Sequence, residues 1–581
     1  MKARLRRLFF EGVSALAEMP LSLRIVLFAI AVLHGTALSW GMPSSHAWDN
    51  DGVAPRDFLP GLASTFTPGQ FYTYPPFHLA LLALLSAPVT ILAVINAGST
   101  SVPVVLKEIL DPSYMTAMAM IARITCLLMS LGLVIAIAKI AEEISPPQHK
   151  KRAALGTAMV AGVGMPFTYY SHTSNLDVPY LFWAGLSALE LVRAIGRHEP
   201  RRIRRAFLFA VFAIATKDQA YALYLLGAPL LLLAWLALDR RARTEWRTIA
   251  KDVAIGGAIA VALLLLIDGA ITNPSGFRRR VAFLSGSASQ DYATYLANMT
   301  GRLRILKDLV WEVGRHYPYP EAFDVLYVAG LVIAVRSAPS RAAALVPFAL
   351  SLSFSVAFNL VARRVEERFT LPQIIFLAIY AGVALGRVFD APQRAVRWPL
   401  GALAAALLLR ALFWAVELDV NLLYDPRYDA EDFLAKNVKP HETIEVHGLN
   451  VYLPRLPPGR RAVRVGHTPV NKRNPIPGLE EVQAKLVDID ERKPEWVVVS
   501  ECYTWRFFSE KINDEGRVRP VAQERDANDE DAFWMFARLF DLQHGYRWVH
   551  VSQWESNFWG KIDLHASVSC KNTIFRRQDP P

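Results

Sequence analysis

What most constrains this chain is a series of apolar runs. Each is about 16–24 residues long and nearly free of charge, the length a helix needs to cross about 30 Å of hydrocarbon. The candidate spans are residues 22–40, 116–140, 153–171, 176–193, 205–217, 219–238, 252–271, 323–338, 342–361, 369–387 and 398–416. A soluble chain of 581 residues would divide into several domains carrying half-buried apolar stripes. Here the hydrophobic residues, 53% of the chain against 20% charged, are concentrated in the runs, which excludes that organisation. The formal net charge of +11 is read as Lys and Arg in cytoplasmic loops, with no nucleic-acid partner.

Charge also orients the spans. The basic start (Lys2, Arg4, Arg6, Arg7) leads into the first run without a cleavage site, so no cleaved signal peptide is expected. Lys150–Arg152 falls on the same side as this start. So do Arg193, Arg197, Arg201, Arg202, Arg204 and Arg205, then Arg240, Arg241, Arg243 and Arg247, and finally Arg387, Arg394 and Arg397. Placing them all in the cytoplasm satisfies the positive-inside rule loop after loop. The run 77–97 is interrupted by Pro75, Pro76 and Pro88, and counting it as a span would reverse every later basic loop. It is therefore expected as helices lying in, or dipping into, the outer interface. Residues 1–416 are then a transmembrane domain, with 41–115 as a long first outer loop. Residues 417–581 form a small outer α/β domain, with strands in "ETIEVHGLNVYL" and "PEWVVVSECY" and a helix in "DAEDFLAKNV". Cys126 reads as packing inside a span, and Cys502 and Cys570 as a disulfide pair if that domain faces an oxidising compartment. No internal repeat is evident, which counts against transporter folds built from duplicated halves.

The polar candidates fall on the outer face. The first loop carries Asp49, Asp51 and Asp57, then Tyr74 and a Pro-Pro pair leading back to the membrane. The next outer turn, "YYSHTSNLDVPYLFW", holds His172, Asn175 and Asp177. Asp177 is either a helix N-cap or an ionisable site residue at the membrane edge. Lys217 and Asp218 stand between two apolar segments. They either neutralise each other or, because the preceding segment is short, place a lysine at depth in a cavity. Two outer segments are basic against the trend: Arg278, Arg279 and Arg280, and then Arg363, Arg364 and Arg368 beside Glu366 and Glu367. Either the local Glu residues pair with these arginines, or an anionic group does. The planar fork of Arg suits a phosphate.

Taken in order, the acidic pair Asp49 and Asp51, "YTYPPF", "SNLDVPYLF", "ATKDQA", "NPSGFRRRVAFLSG", "EERFTLPQ" and the downstream "YDPRYDAEDFLAKN" resemble one family. It is that of the C-type-fold membrane glycosyltransferases containing protein O-mannosyltransferases and the aminoarabinose transferases of lipid A. The resemblance covers most of residues 20–440. It departs in the first loop, where the family's Asp-Glu is Asp-Asn-Asp here, and in an extended segment at 98–115. The resemblance implies a mainly α, polytopic bundle of about eleven helices with a small α/β domain at the C-terminus. It also implies an inverting transfer from a polyprenyl-phosphate sugar to a lipid, protein or glycan acceptor, on the outer face of an inner membrane. Asp51, with Asp49 as the alternative, would be the general base. His172, Asn175, Asp177, Lys217, Asp218, Arg278, Arg363, Glu366, Arg368 and Tyr74 would bind substrate. No cofactor is expected; two carboxylates would suit a divalent metal, but no ligand cluster supports one. The competing reading is a multi-pass transporter or lipid flippase, which would place polar residues near the bilayer midplane.

Overall fold

The structure is a computed structural model that describes residues 19–43, 48–49, 52–286, 293–389, 393–467, 479–508, 527–554 and 568–578. The basic start (Lys2, Arg4, Arg6, Arg7) and Asp51 lie outside the described residues.

The chain is a multi-pass membrane protein, mainly helical. Among the described residues seven helices are long and apolar enough to cross a bilayer: Pro112–Ile144, Asp177–Gly196, Asp218–Leu238, Trp246–Ile267, Arg341–Ala362, Glu367–Phe389 and Arg394–Asn437. Two further pairs qualify only when joined. Pro76–Leu85 with Ala87–Asn96 bends by 57°, and Met299–Arg315 with Pro320–Ser337 by 97°, giving up to nine spans. The shortfall from eleven has local causes. The run 22–40 is helical only over the 15 residues Leu21–Gly35. The run 153–171 breaks into Lys150–Gly162 and Met165–His172, where Pro166 opens the second piece and cannot continue the first. The run 205–217 becomes the 13-residue helix Arg202–Ile214. The run 323–338 counts only jointly with Met299–Arg315, and 77–97, not one of the eleven, bends where Ser86 ends one helix and Pro88 opens the next.

At the centre stands Glu367–Phe389, with 94% of its apolar window buried. Without water to drive helices together, close approach depends on small side chains. Gly382 supplies it against Lys150–Gly162: a Cβ there would overlap Thr157 and come within 2.6 Å of the Ala153 carbonyl oxygen. Gly156 faces Gly382 from the other helix, its own Cβ position 3.1 Å from the Gly382 carbonyl oxygen.

The two ends of the bundle differ. At one end the basic loops meet carboxylates. Arg193 and Arg197 reach Glu143, Arg202 reaches Glu190 and Glu199, Arg204 reaches Asp252, and His198 stands 3.1 Å from Asp239. Arg152 donates to the Phe389 carbonyl at 2.8 Å, and Arg387 reaches His149. At the other end the first loop and the polar turns are bonded to each other. Val53 and Ser174 exchange hydrogen bonds of 3.2 and 3.1 Å, and the Phe77 amide donates to Ala215 at 3.1 Å. Asn273 joins Ser64, Thr65 and Gln70 to the helix Pro274–Ser285.

Beyond Leu423 the chain forms the helix Pro426–Asn437 and a six-stranded sheet. Its strands are β1 (Thr443–Val446), β2 (Arg461–Gly466), β3 (Leu479–Gln483), β4 (Trp496–Ser500), β5 (Tyr546–Ser552) and β6 (Asn572–Arg577). The order is β3-β2-β1-β4-β6-β5; β1 to β4 run parallel, and β6 joins β4 and β5 antiparallel. The helix and the two strands expected here are present. Cys502 and Cys570 form a disulfide, and Cys126 is a buried free thiol.

If the Gly382 contact governs helix packing, Gly382→Ala lowers stability by about 1–3 kcal/mol, the usual range for overpacking. Thermal unfolding of the protein in detergent checks this. A melting temperature equal to wild type would show that the two helices can part freely.

Candidate active site at the polar end

Arg202–Ile214 starts at the basic end and is only about 20 Å long at 1.5 Å per residue, short of the hydrocarbon thickness. Lys217, three residues on, is therefore held inward, with its side chain 20% exposed. Its ammonium donates to Asp177 Oδ1 at 2.6 Å, and Gln219 Nε2 donates to the same oxygen at 3.1 Å. Asp177 is not the helix cap: Asn175 Oδ1 accepts from the Asp177 amide at 3.0 Å, which frees the aspartate carboxylate to face the lysine. Asp177 Oδ2 and Asn175 Nδ2 are buried and find no partner among the described residues. Buried polar atoms without partners are rare in native structures and mark places where a ligand or water belongs.

Asp49 lies close by. It is buried and accepts from Tyr169 Oη at 3.4 Å; its Oδ2 and Ser174 Oγ would stand 2.7 and 2.9 Å from a Cβ at Gly52. Arg123 acts on it electrostatically, and both Asp49 and Asp177 act on the Cys126 thiol, so the two carboxylates flank one point of the Pro112–Ile144 helix. His172 closes that helix's neighbour. Its Nδ1 donates to the Thr168 carbonyl at 2.5 Å, and its Nε2 stands 2.9 Å from Asp419 Oδ1.

Lys217 and Asp218 go to different partners. Asp218 receives Arg280 Nη2 at 2.5 Å on both oxygens. Arg280 is buried, stands 3.6 Å from Asp268, and lies over the Tyr72 ring at 4.9 Å, while Tyr72 Oη donates to the Asp268 carbonyl at 2.5 Å. Burial pushes the Asp268 carboxyl up to about 7; Arg280 opposes the shift and Asp218 adds to it. The same burial and neighbours push Tyr72 up to about 12.

The structure thus gathers Asp49, His172, Asn175, Asp177, Lys217 and Asp218 at one end. Tyr74 packs there against the cluster of Val53, Phe58, Leu79, Met118 and Leu176. Of the arginine triplet, Arg278 is exposed, Arg279 donates to the Gly69 carbonyl, and only Arg280 turns inward. At the turn 363–368, Arg363 takes left-handed backbone (φ 54°) and donates to the Tyr295 carbonyl at 2.7 Å. Glu366 accepts from Arg364, and Arg368 lies over the Phe369 ring at 4.7 Å. These contacts order the entry to Glu367–Phe389. Gln373 and Asn359 support the same turn around a π-helical bulge at Ser355–Asn359.

Asp268, Asp419, Gln219 and Tyr72 were not singled out from the sequence. Asp268 and Asp419 each follow or end an apolar run, as a helix-terminal carboxylate does, and only their partners distinguish them. Among the described residues no three His, Cys, Asp or Glu side chains come together as a metal-ion set.

No protein-family model and no curated protein matches the chain. Among solved structures it is similar to ArnT from Cupriavidus metallidurans bound to undecaprenyl phosphate. The two are 17% identical with a TM-score of 0.47, over 85% of this chain and 96% of that one. It is also similar to the apo oligosaccharyltransferase of Archaeoglobus fulgidus, at 12% identity and a TM-score of 0.43, over 92% of this chain and 80% of that one. Likeness at this level assigns the chain no activity.

Because Asp268 is held above its unfolded value of 3.8, its folded form binds the proton more tightly. Its contribution to stability is therefore complete in acid and is lost as pH rises through about 7. Asp268→Asn keeps a neutral side chain at every pH. It should unfold at a higher temperature than wild type at pH 8, and the gap should narrow as pH falls toward about 4. Melting curves of both proteins across that range decide it; a constant gap would leave Asp268 ionised throughout.

Proposed function

We propose that the chain is a membrane glycosyltransferase that moves a sugar from a polyprenyl-phosphate donor to an acceptor hydroxyl, with inversion. The observation that carries this reading is the pair of Lys217 with the buried Asp177, whose second oxygen has no partner among the described residues, next to the first-loop carboxylate Asp49 and one residue from Asp218–Arg280. Two inward-facing cations beside an acidic loop suit a donor that leaves as phosphate while a hydroxyl loses its proton.

In this reading the base takes the acceptor proton as the oxygen attacks the anomeric carbon opposite the phosphate. A base so placed contributes about 10²–10⁴ in rate. Asp49 is buried and already holds Tyr169, which supports a positioning role for it and leaves the proton to Asp51. Asp177, Asn175 and His172 orient the sugar. Lys217 and Arg280 stabilise the charge that develops on the departing phosphate, an effect strengthened where water is scarce. An apolar groove of about 240 Å³ between Asp177–Gly196, Arg202–Ile214 and Trp246–Ile267 suits the isoprenoid tail. Its Ile214 and Leu264 stand three and four residues from Lys217 and Asp268. The Cys502–Cys570 disulfide supports an extracytoplasmic C-terminal domain, since such bonds persist in oxidising compartments. The basic loops at the other end then face the cytoplasm.

Incubating the purified protein with a panel of polyprenyl-phosphate sugars should release polyprenyl phosphate from one of them. Movement of intact lipid across a bilayer without release would favour the flippase reading. Asp51→Asn should abolish release in a folded protein; retained turnover would remove Asp51 as the base. Lys217→Ala should lower kcat/KM for the donor by at least about tenfold, the effect of about 1.4 kcal/mol of lost transition-state stabilisation, and leave the acceptor KM nearly unchanged. Equal effects on both would indicate a purely structural lysine.

A further inference from the structure

The residues just before Asp49 are gripped by the C-terminal domain. Arg427, at the start of the helix Pro426–Asn437, is fully buried. Its fork donates to both oxygens of Asp425, Nε to Oδ1 at 2.8 Å and Nη2 to Oδ2 at 2.6 Å, and Nη1 reaches the Val451 carbonyl. The guanidinium plane lies 4.1 Å from the Trp48 ring and 5.5 Å from that of Trp40. Trp40 Nε1 donates to the same Asp425 carboxylate at 3.1 Å, and Trp48 Nε1 donates to the Leu453 carbonyl at 2.9 Å. A second arginine flanks the first: Arg455 binds Glu431, reaches the Met42 carbonyl, and lies 5.7 Å over Trp48. Tyr428 meets Trp48 edge-on with ring centroids 4.8 Å apart and accepts from the Gly41 amide at 2.9 Å. Trp48 is thus bounded by two guanidinium groups and a phenol ring, all from residues 427–455. The disulfide-bonded segment closes the arrangement, because the Ser569 amide donates to Asp425 at 3.3 Å beside Cys570.

We propose that Arg427 is a positioning residue: through Trp48 it sets where Asp49 stands relative to Asp177 and Lys217. The proposal rests on the transferase reading only for its kinetic readout. The mechanics follow from the contacts. Asp49 is the next residue after Trp48, so a shift of the indole is passed directly to the carboxylate. An arginine suits this task because its planar fork meets Asp425 while its face meets the indole; lysine supplies the charge without either geometry.

Two measurements test it on the full-length protein in detergent. In Arg427→Lys and Arg427→Ala, hydrogen–deuterium exchange of peptides covering Trp48 and Asp49 should quicken by at least about tenfold, while peptides of Glu367–Phe389 stay as in wild type. This readout needs no activity, so it stands or falls apart from the transferase reading. With the donor that the panel identifies, kcat should fall by about 10²-fold and the donor KM should change by less than about threefold, as expected when a residue that orients the reacting groups is misplaced by about 1 Å. Trp48→Ala should reproduce both effects, and Trp48→Phe, which keeps a ring for Arg427, should restore kcat to within about tenfold of wild type. Unchanged exchange at Trp48 and Asp49 in folded Arg427→Ala or Arg427→Lys overturns the proposal. So does a kcat loss matched by an equal loss of folded protein, or a Trp48→Phe variant no better than Trp48→Ala.

Discussion

A lysine held inside the membrane end of the protein needs a carboxylate, and much of the polar end is arranged to provide one. The helix before Lys217 is too short to deliver the ammonium to bulk water. Burying it unpaired would cost several kcal/mol, and a buried pair is stable only when its remaining valences are also satisfied. Asp177 answers at 2.6 Å, and that placement requires the turn 173–176 to take the cap role through Asn175. The turn in turn fixes Ser174, onto which the first loop is bonded through Val53. One electrostatic requirement thus propagates into the backbone of two separate loops.

The neighbouring group obeys the same rule with different numbers. Lys217 and Arg280 face Asp177, Asp218 and Asp268, two cations against three carboxylates. Asp268, the most weakly paired of the three, is pushed toward the neutral form, first by burial and then by the Asp218 charge, with Arg280 opposing. The polar end therefore approaches charge balance without a ligand while keeping unpartnered atoms at Asp177 and Asn175. The C-terminal domain adds a mechanical constraint from outside the bundle. Its arginines meet Trp40, at the end of the first run, and Trp48, in the first loop.

Several parts of this arrangement are legible in the residues themselves. Asp177 stands out because an ionisable side chain at the edge of an apolar run is costly unless it has a task. Lys217 stands out because eleven apolar residues are too few to cross a bilayer. The helix and strands of the C-terminal domain follow from their own local patterns. Of the triplet the sequence reading favours Arg278, but Arg278 is exposed and Arg280 is the one that turns inward, because which of three adjacent arginines faces inward depends on where Pro274–Ser285 lies against Tyr72 and Asp218. The turn 363–368 was read for its charge, yet its shape comes from a bulge at Ser355–Asn359 and from Gln373, whose roles no local pattern announces. Asp419 belongs to the same class, since a carboxylate at the end of a span gives no sign that His172 stands 2.9 Å away.

By itself the sequence determined that the chain enters a membrane many times, which side of each loop carries the basic residues, and which turns hold the polar side chains. Those properties are sums over neighbouring residues, because hydrophobic transfer and helix length are set segment by segment. Tertiary structure decided the pairings: Lys217 with Asp177 across 40 residues, Arg280 with Asp218 across 62, and Trp40 with Asp425 across 385. A charge in a low-dielectric interior is stabilised only by the partner that packing brings within about 3 Å, and packing is a property of the whole bundle.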